Sequence, residues 1–295
     1  MGMLTSKSFN PTTDIPDLNG KVAIVTGGKQ AAIDFMKKEE RLDILISDTL
    51  NRMDDSTARI QDVVMVKLVH LFEPTCSLEV CCPPFLRTAQ EPGSDVRIVS
   101  GNKLCLQNVR FSSMEDLNRD FANSALPQFM LYSASSAKLM QLMFIEELQC
   151  RMDERNLSII CIATCLVAVN TDAQGVQAYA HSVGPILSHL YALITNLTFA
   201  TPAKGAYSTV FAAASPVPRE NADEYKGAFL KNPGVKTTVS PVAEITANLR
   251  ELWVTTERIL KEVGVVVQDP GRRVRSWGEF PRRLAFTYAV CSAFI

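Results

Sequence analysis

Histidine, charge of one sign and long apolar runs are all scarce in this 295-residue chain, and each scarcity excludes a class of function. There are three histidines, His70, His181 and His189, and none of the eight cysteines forms a Cys-x-x-Cys pair, so metal-ligand spacing is missing and no metal is expected. The cluster Cys76, Cys81 and Cys82 reads as small buried hydrophobes rather than a thiolate site. Lys plus Arg number 30 against 31 Asp plus Glu, a formal charge of −1, which offers no general attraction for nucleic acid or an anionic membrane. The longest nearly uncharged apolar run, Leu157 to Val169, falls well short of the roughly 20 residues of a membrane-spanning helix. Residues 1–10 hold Lys7 but no apolar stretch of a secretory signal, so a reducing, cytoplasmic setting is expected, with a small molecule or a protein as partner.

What is present is the composition of an ordinary globular chain, 47% hydrophobic and 21% charged, long enough to bury a sizeable core. Residues 1–19 are polar, contain Pro11, Pro16 and the turn pair Asn19-Gly20, and read as an irregular arm. Residues 20–268 form the expected domain. Beyond it, residues 269–295 carry Arg272, Arg273, Arg275, Arg282 and Arg283 and read as a solvated basic tail.

Within the domain, Lys21 to Thr26 is a β-branched apolar run bounded by Gly20 and Gly27-Gly28, as in a strand buried on both faces of a parallel sheet. Gln30 to Arg41 alternates apolar and charged sides at helical period, and Leu42-Asp-Ile-Leu-Ile follows as a second strand, a compact strand–helix–strand unit. Further strands are expected at Asp95 to Ser100 and Leu157 to Ala163, and helices at Ile60 to Phe72, Ala134 to Glu154, Lys204 to Ala214 and Val242 to Val263. Trp253 falls on the apolar face of the last helix and is expected in the core. The alternation predicts an α/β fold.

Seven stretches, in their order, resemble the short-chain dehydrogenase/reductase family, especially its retinol-dehydrogenase-like fungal branch: Leu18 to Gly28, Glu40 to Ile46, Ser94 to Val99, Glu147 to Glu154, Lys204 to Tyr207, Tyr225 to Gly227, and Leu252 to Glu257. The resemblance implies a Rossmann-like doubly wound parallel sheet. It also implies NADP or NAD binding and hydride transfer between the nicotinamide and an alcohol or ketone, possibly in specialised metabolism, in a homo-oligomer or paired with an intact homologue.

Departures from the family pattern qualify that expectation. Of the phosphate loop T-G-x-x-x-G-x-G, only Thr26, Gly27 and Gly28 persist, with Ala31 and Ile33 at the later glycine positions, where side chains crowd a pyrophosphate. The span from Gly28 to Ser47 has room for one helix only, where the family has further strand–helix units, so the sheet is predicted to be shortened at one edge. Val22 to Thr26 is then exposed as an edge strand or covered by the arm. N-N-A-G is replaced by Ser47-Asp48-Thr49-Leu50, and Lys67 stands for the helix asparagine.

The catalytic pair of the family is Y-x-x-x-K, one helical turn apart, with the lysine lowering the tyrosine pKa and holding the ribose. By position Tyr132 and Lys138 are the nominees, but they are six residues apart, roughly 120° around a helix unless Tyr132 precedes it. Asn102 and Lys103 occupy the expected catalytic-serine positions, leaving Ser100 as a substitute. The P-G motif reads Leu166-Val167, with Val169 and Thr171 kept for the cofactor. Two further readings account for these losses: a catalytically inactive relative serving as an interaction module, and a decayed or mis-spliced product.

Overall fold

A computed structural model describes residues 9–26, 39–47, 84–102, 126–165, 199–237 and 246–262. Six strands make one sheet, in chain order from edge to edge: β1 (Ala23–Thr26), β2 (Ile44–Ser47), β3 (Val96–Asn102), β4 (Ile159–Cys165), β5 (Phe229–Asn232) and β6 (Val235–Lys236). The first five are parallel and β6 returns antiparallel. Each of the four expected strands is found, starting one or two residues later than expected; β1 ends at the expected Thr26 and the others end one or two residues further on. The central β4 is buried along its whole length, as its uninterrupted apolar sequence requires. The pair β5–β6 was not anticipated from sequence: Phe229-Leu-Lys-Asn is only half apolar, and its signal is the Pro233-Gly234 turn, where Gly234 takes φ +73°.

Eight helices are described: α1 (Pro11–Asp14), α2 (84–89), α3 (Leu126–Glu154), α4 (Pro202–Gly205), α5 (Tyr207–Ala214), α6 (Val217–Glu220), α7 (Ala222–Tyr225) and α8 (Thr246–Glu262). Helix α3 begins well before the expected Ala134. The expected Lys204–Ala214 helix is divided at Ala206 into α4 and α5. The expected Gln30–Arg41 helix does not extend through its last residues, because 39–41 are not helical. The helix expected at Ile60–Phe72, the tail at 269–295 and Lys67 lie outside the described residues.

Side chains alternate between two cores. Ile24, Leu45, Ile98, Cys161 and Phe229 face α3, α8 and Phe85 of α2, whereas Ile44, Val99, Ile162 and Leu230 face Phe211 and Ala212 of α5 and Tyr225 of α7. From Lys138 to Gln149 nearly every residue of α3 is buried, so the helix is apolar around most of its circumference and is covered on both sides. On its outer side Phe144 stacks on Trp253 of α8, centroids 4.7 Å apart, and the Arg151 guanidinium lies 4.2 Å from the same indole. Trp253 is thus a core residue, as expected.

The strand order advances in one direction, yet helices cover both faces. The connections from β2 to β3 and from β3 to β4 carry α2 and α3 on one face, while that from β4 to β5 carries α5 on the other. Crossovers that step the same way but pass on opposite faces have opposite hands, and right-handed ones predominate heavily. The β4–β5 connection is therefore the exception, and it gives this sheet its second cover.

Candidate functional site

In open parallel sheets, ligands meet the carboxyl ends of the strands. Here those ends lie in register, with Thr26 opposite Ser47, Ser47 opposite Ser100, and Ser100 opposite Ala163. Ser47 and Ser100 follow Leu45 and Ile98 by two residues and so point toward α3. They are 3% and 1% exposed, and neither hydroxyl oxygen has a hydrogen-bond partner among the described residues. From α3, Lys138, 3% exposed, brings its ammonium to the Gly101 carbonyl at 3.3 Å, beside Ser100.

Of the three nominated catalytic residues, Lys138 donates to the carbonyl of Gly101, the residue after Ser100 on β3. The third does not share a helix face with Lys138. Residue 132 lies inside α3, so the condition that could have rescued the pairing, a tyrosine preceding the helix, fails. Six residues of helix separate it from Lys138 by roughly 9 Å of rise and about 120° of rotation. Of the cofactor nominees, Thr26 ends β1, while Gly27, Gly28, Val169 and Thr171 lie outside the described residues. Sequence reasoning missed Ser47; its signal was the row of register partners, which no single strand reveals.

For a nicotinamide cofactor the fit is divided. A buried ammonium at the strand ends suits a ribose or a negative group. Ser100 does not fit a carbonyl-polarising role in this arrangement, since a hydroxyl so closed cannot touch a substrate unless the strand end or α3 moves.

The amino ends of the strands are built from the opposite materials. Asp43, fully buried, is held by Arg41 at 2.7 Å, by Lys21 at 3.0 Å and by the Val22 N–H at 3.0 Å. Burial alone raises its pKa, but these donors outweigh burial and hold it below the ordinary carboxylate value, while the Arg41 guanidinium beside it is raised. Asp95 is likewise lowered against its burial by Arg97 and by Arg219 at 2.8 Å. The Arg97 guanidinium, 2% exposed, also donates to the Ala212 carbonyl at 3.0 Å, and Arg219 to Ser158 Oγ at 3.0 Å. A cavity of about 260 Å³ opens at this end between Pro16, Leu18, Lys21, Arg97 and Arg219. Its cations are already matched by Asp43 and Asp95, so it has the chemistry of a structural crevice.

Among known proteins, a short chain dehydrogenase/reductase of Colletotrichum higginsianum, dpchH, is 32% identical over 268 residues, 85% of this chain and 61% of its own length. A second, dpmpH of Macrophomina phaseolina, is 32% identical over 172 residues, covering 57% of this chain and 79% of the relative. The chain belongs to the short-chain dehydrogenase/reductase family. A third relative of this short-chain dehydrogenase/reductase, from Armillaria gallica, is 28% identical over 79% of the chain and 72% of its own length. No protein-family profile matches. Spanning only 61% of the Colletotrichum protein, the chain is shorter than a relative it resembles nearly throughout. Among the described residues no helix is long and apolar enough to cross a membrane.

Proposed function

We propose that this short-chain dehydrogenase/reductase binds NADP or NAD across the carboxyl ends of β1–β4 and serves in hydride transfer between the nicotinamide and an alcohol or ketone of a small molecule. The observation carrying the reading is Lys138, a buried ammonium that α3 delivers to the end of β3, two residues beyond the position where the family resemblance expects the ribose-holding lysine. The cofactor supplies the hydride chemistry: an alcohol carbon gives a hydride to the oxidised nicotinamide and its hydroxyl loses a proton, leaving a carbonyl, and reduction runs the reverse. The chain's share is to bind, orient and exchange that proton. Specialised metabolism is part of this proposal on the strength of the family resemblance alone.

A second reading is favoured by two specific observations, the helical offset between Tyr132 and Lys138 and the closure of Ser100: the chain keeps the family framework without turnover and acts as an interaction module. Titration with NADPH and NADH under thermal denaturation separates the two. A ligand at 100 times its dissociation constant adds about 2.7 kcal/mol, several degrees of midpoint shift. A shift that Lys138→Met removes supports the first reading. No shift in folded protein overturns it and leaves the second.

A further inference from the structure

The two edges of the sheet are treated differently. At one, β6 is two residues long, its register is irregular against β5, and Lys236 stands on it with its ammonium on the Glu224 carbonyl at 3.4 Å. Shortness, irregularity and a lysine are the devices that keep a sheet edge from adding strands. At the other, β1 reads Ala23-Ile-Val-Thr: no charge, no proline, two β-branched aliphatic residues in the middle. Val25 at its centre is 66% exposed, more than the other large exposed hydrophobics described, Val254, Val235 and Leu18. The Val22 carbonyl accepts from the Ile44 N–H at 3.1 Å, so alternation along a parallel ladder turns the backbone groups of Ile24 toward β2 and those of Ala23 and Val25 outward. No described residue pairs with them. The described part of the arm, which the sequence offered as a cover, is engaged elsewhere: Phe9 packs edge-on against Phe211 at 5.3 Å and Tyr207 at 6.3 Å, and Pro16 to Leu18 line the amino-end cavity.

We propose that the outer edge of β1 is an interface for a second copy of this chain, the two strands running antiparallel about a two-fold axis through Ile24. This register sets Ala23 opposite Val25 of the second copy, so each outward N–H and carbonyl is used and four backbone hydrogen bonds join the sheets. The occupant is a second copy because the strand is self-complementary: with no charge between Ala23 and Thr26, identical strands meet without repulsion, and Lys21 is already bound to Asp43. A junction this short makes a weak, concentration-dependent dimer. The inference is independent of catalysis.

Sedimentation velocity of the full chain from about 1 to about 100 µM tests it by mass action. The expected result is a dimer fraction that rises with concentration, and at least tenfold weaker association in Val25→Lys, which places two ammonium groups across the axis while its own side chain stays in solvent. Hydrogen exchange of wild-type protein provides the second measurement, with the Ala23 and Val25 amides gaining protection as concentration rises. A wild-type chain that stays monomeric, a Val25→Lys variant that is folded yet associates equally well, or amides indifferent to concentration overturns the proposal. So does assembly that requires an intact homologue.

Discussion

The two ends of one sheet differ in how they treat buried polar groups. At the amino ends, Asp43 and Asp95 are each held by two cations. At the carboxyl ends, two buried hydroxyls have no hydrogen-bond partner among the described residues, and the buried Lys138 ammonium donates to a peptide carbonyl. An unanswered buried polar group costs stability, and such costs persist where a function needs the group or once needed it. The amino rim is therefore the stabilising end, and the carboxyl rim is where the proposed function puts the ligand.

The contrast can be broken most forcefully at Asp43. Replacing it with Ala leaves Lys21 and Arg41 facing a buried gap, and we expect a loss of about 3 kcal/mol, moderated because both cations reach water. Urea denaturation measures it; a change below about 0.5 kcal/mol would place the pair among ordinary surface pairs. Next comes Arg97→Met, which deprives the Ala212 carbonyl and Asp95 of a donor while Arg219 keeps Asp95 partly matched, for about 2 kcal/mol by the same assay.

Acid titration sharpens the comparison. Both carboxylates have folded pKa values below their unfolded ones, so their contribution is fully present above the unfolded value of about 3.9 and is lost as pH falls toward the folded values. Stability should decline steeply below about pH 4, and the Asp43→Asn, Asp95→Asn double variant should show a flatter acid limb than wild type. A parallel limb would mean that other groups carry the acid sensitivity.

At the carboxyl rim the sign reverses. Ser47→Ala and Ser100→Ala each remove a buried hydroxyl without a partner, and each should raise the unfolding free energy by about 0.5–1 kcal/mol. Destabilisation by either would show that the hydroxyl is answered in solution. The smallest expected effect is on Tyr132→Phe: with the tyrosine nearly two turns from Lys138, any oxidoreductase rate should change little, and a fall of about 100-fold would show that it acts as the proton donor after all.

How far the sequence revealed this arrangement depended on the kind of signal. Strands β1 to β4 announced themselves as short β-branched runs; β2 to β4 are largely buried, as such runs imply, whereas β1, expected to be buried on both faces, is buried only at Ile24 and leaves Val25 exposed because it lies at the sheet edge. Strand β5 did not, since Lys231 and Asn232 are exposed and only its first half is buried. The amino-rim network was partly visible as Arg41, Asp43, Asp95 and Arg97 at strand starts, but the fourth partner, Arg219, comes from a distant helix that no local pattern connects to Asp95. The site was visible only as the family's tyrosine segment around Tyr132, with Lys138 two residues beyond the family's lysine position, which is Ser136 here. Burial of Ser47 beside Ser100 was invisible, because it depends on the register of strands far apart in sequence.

The claim that the carboxyl rim is the ligand-binding end is tested most directly by hydrogen exchange with and without NADPH. The expected result is protection gained across Val96 to Asn102 and the first half of α3, and abolished in Lys138→Met. Protection confined to the amino rim around Asp43 and Asp95, or none at saturating cofactor with the fold intact, would contradict it.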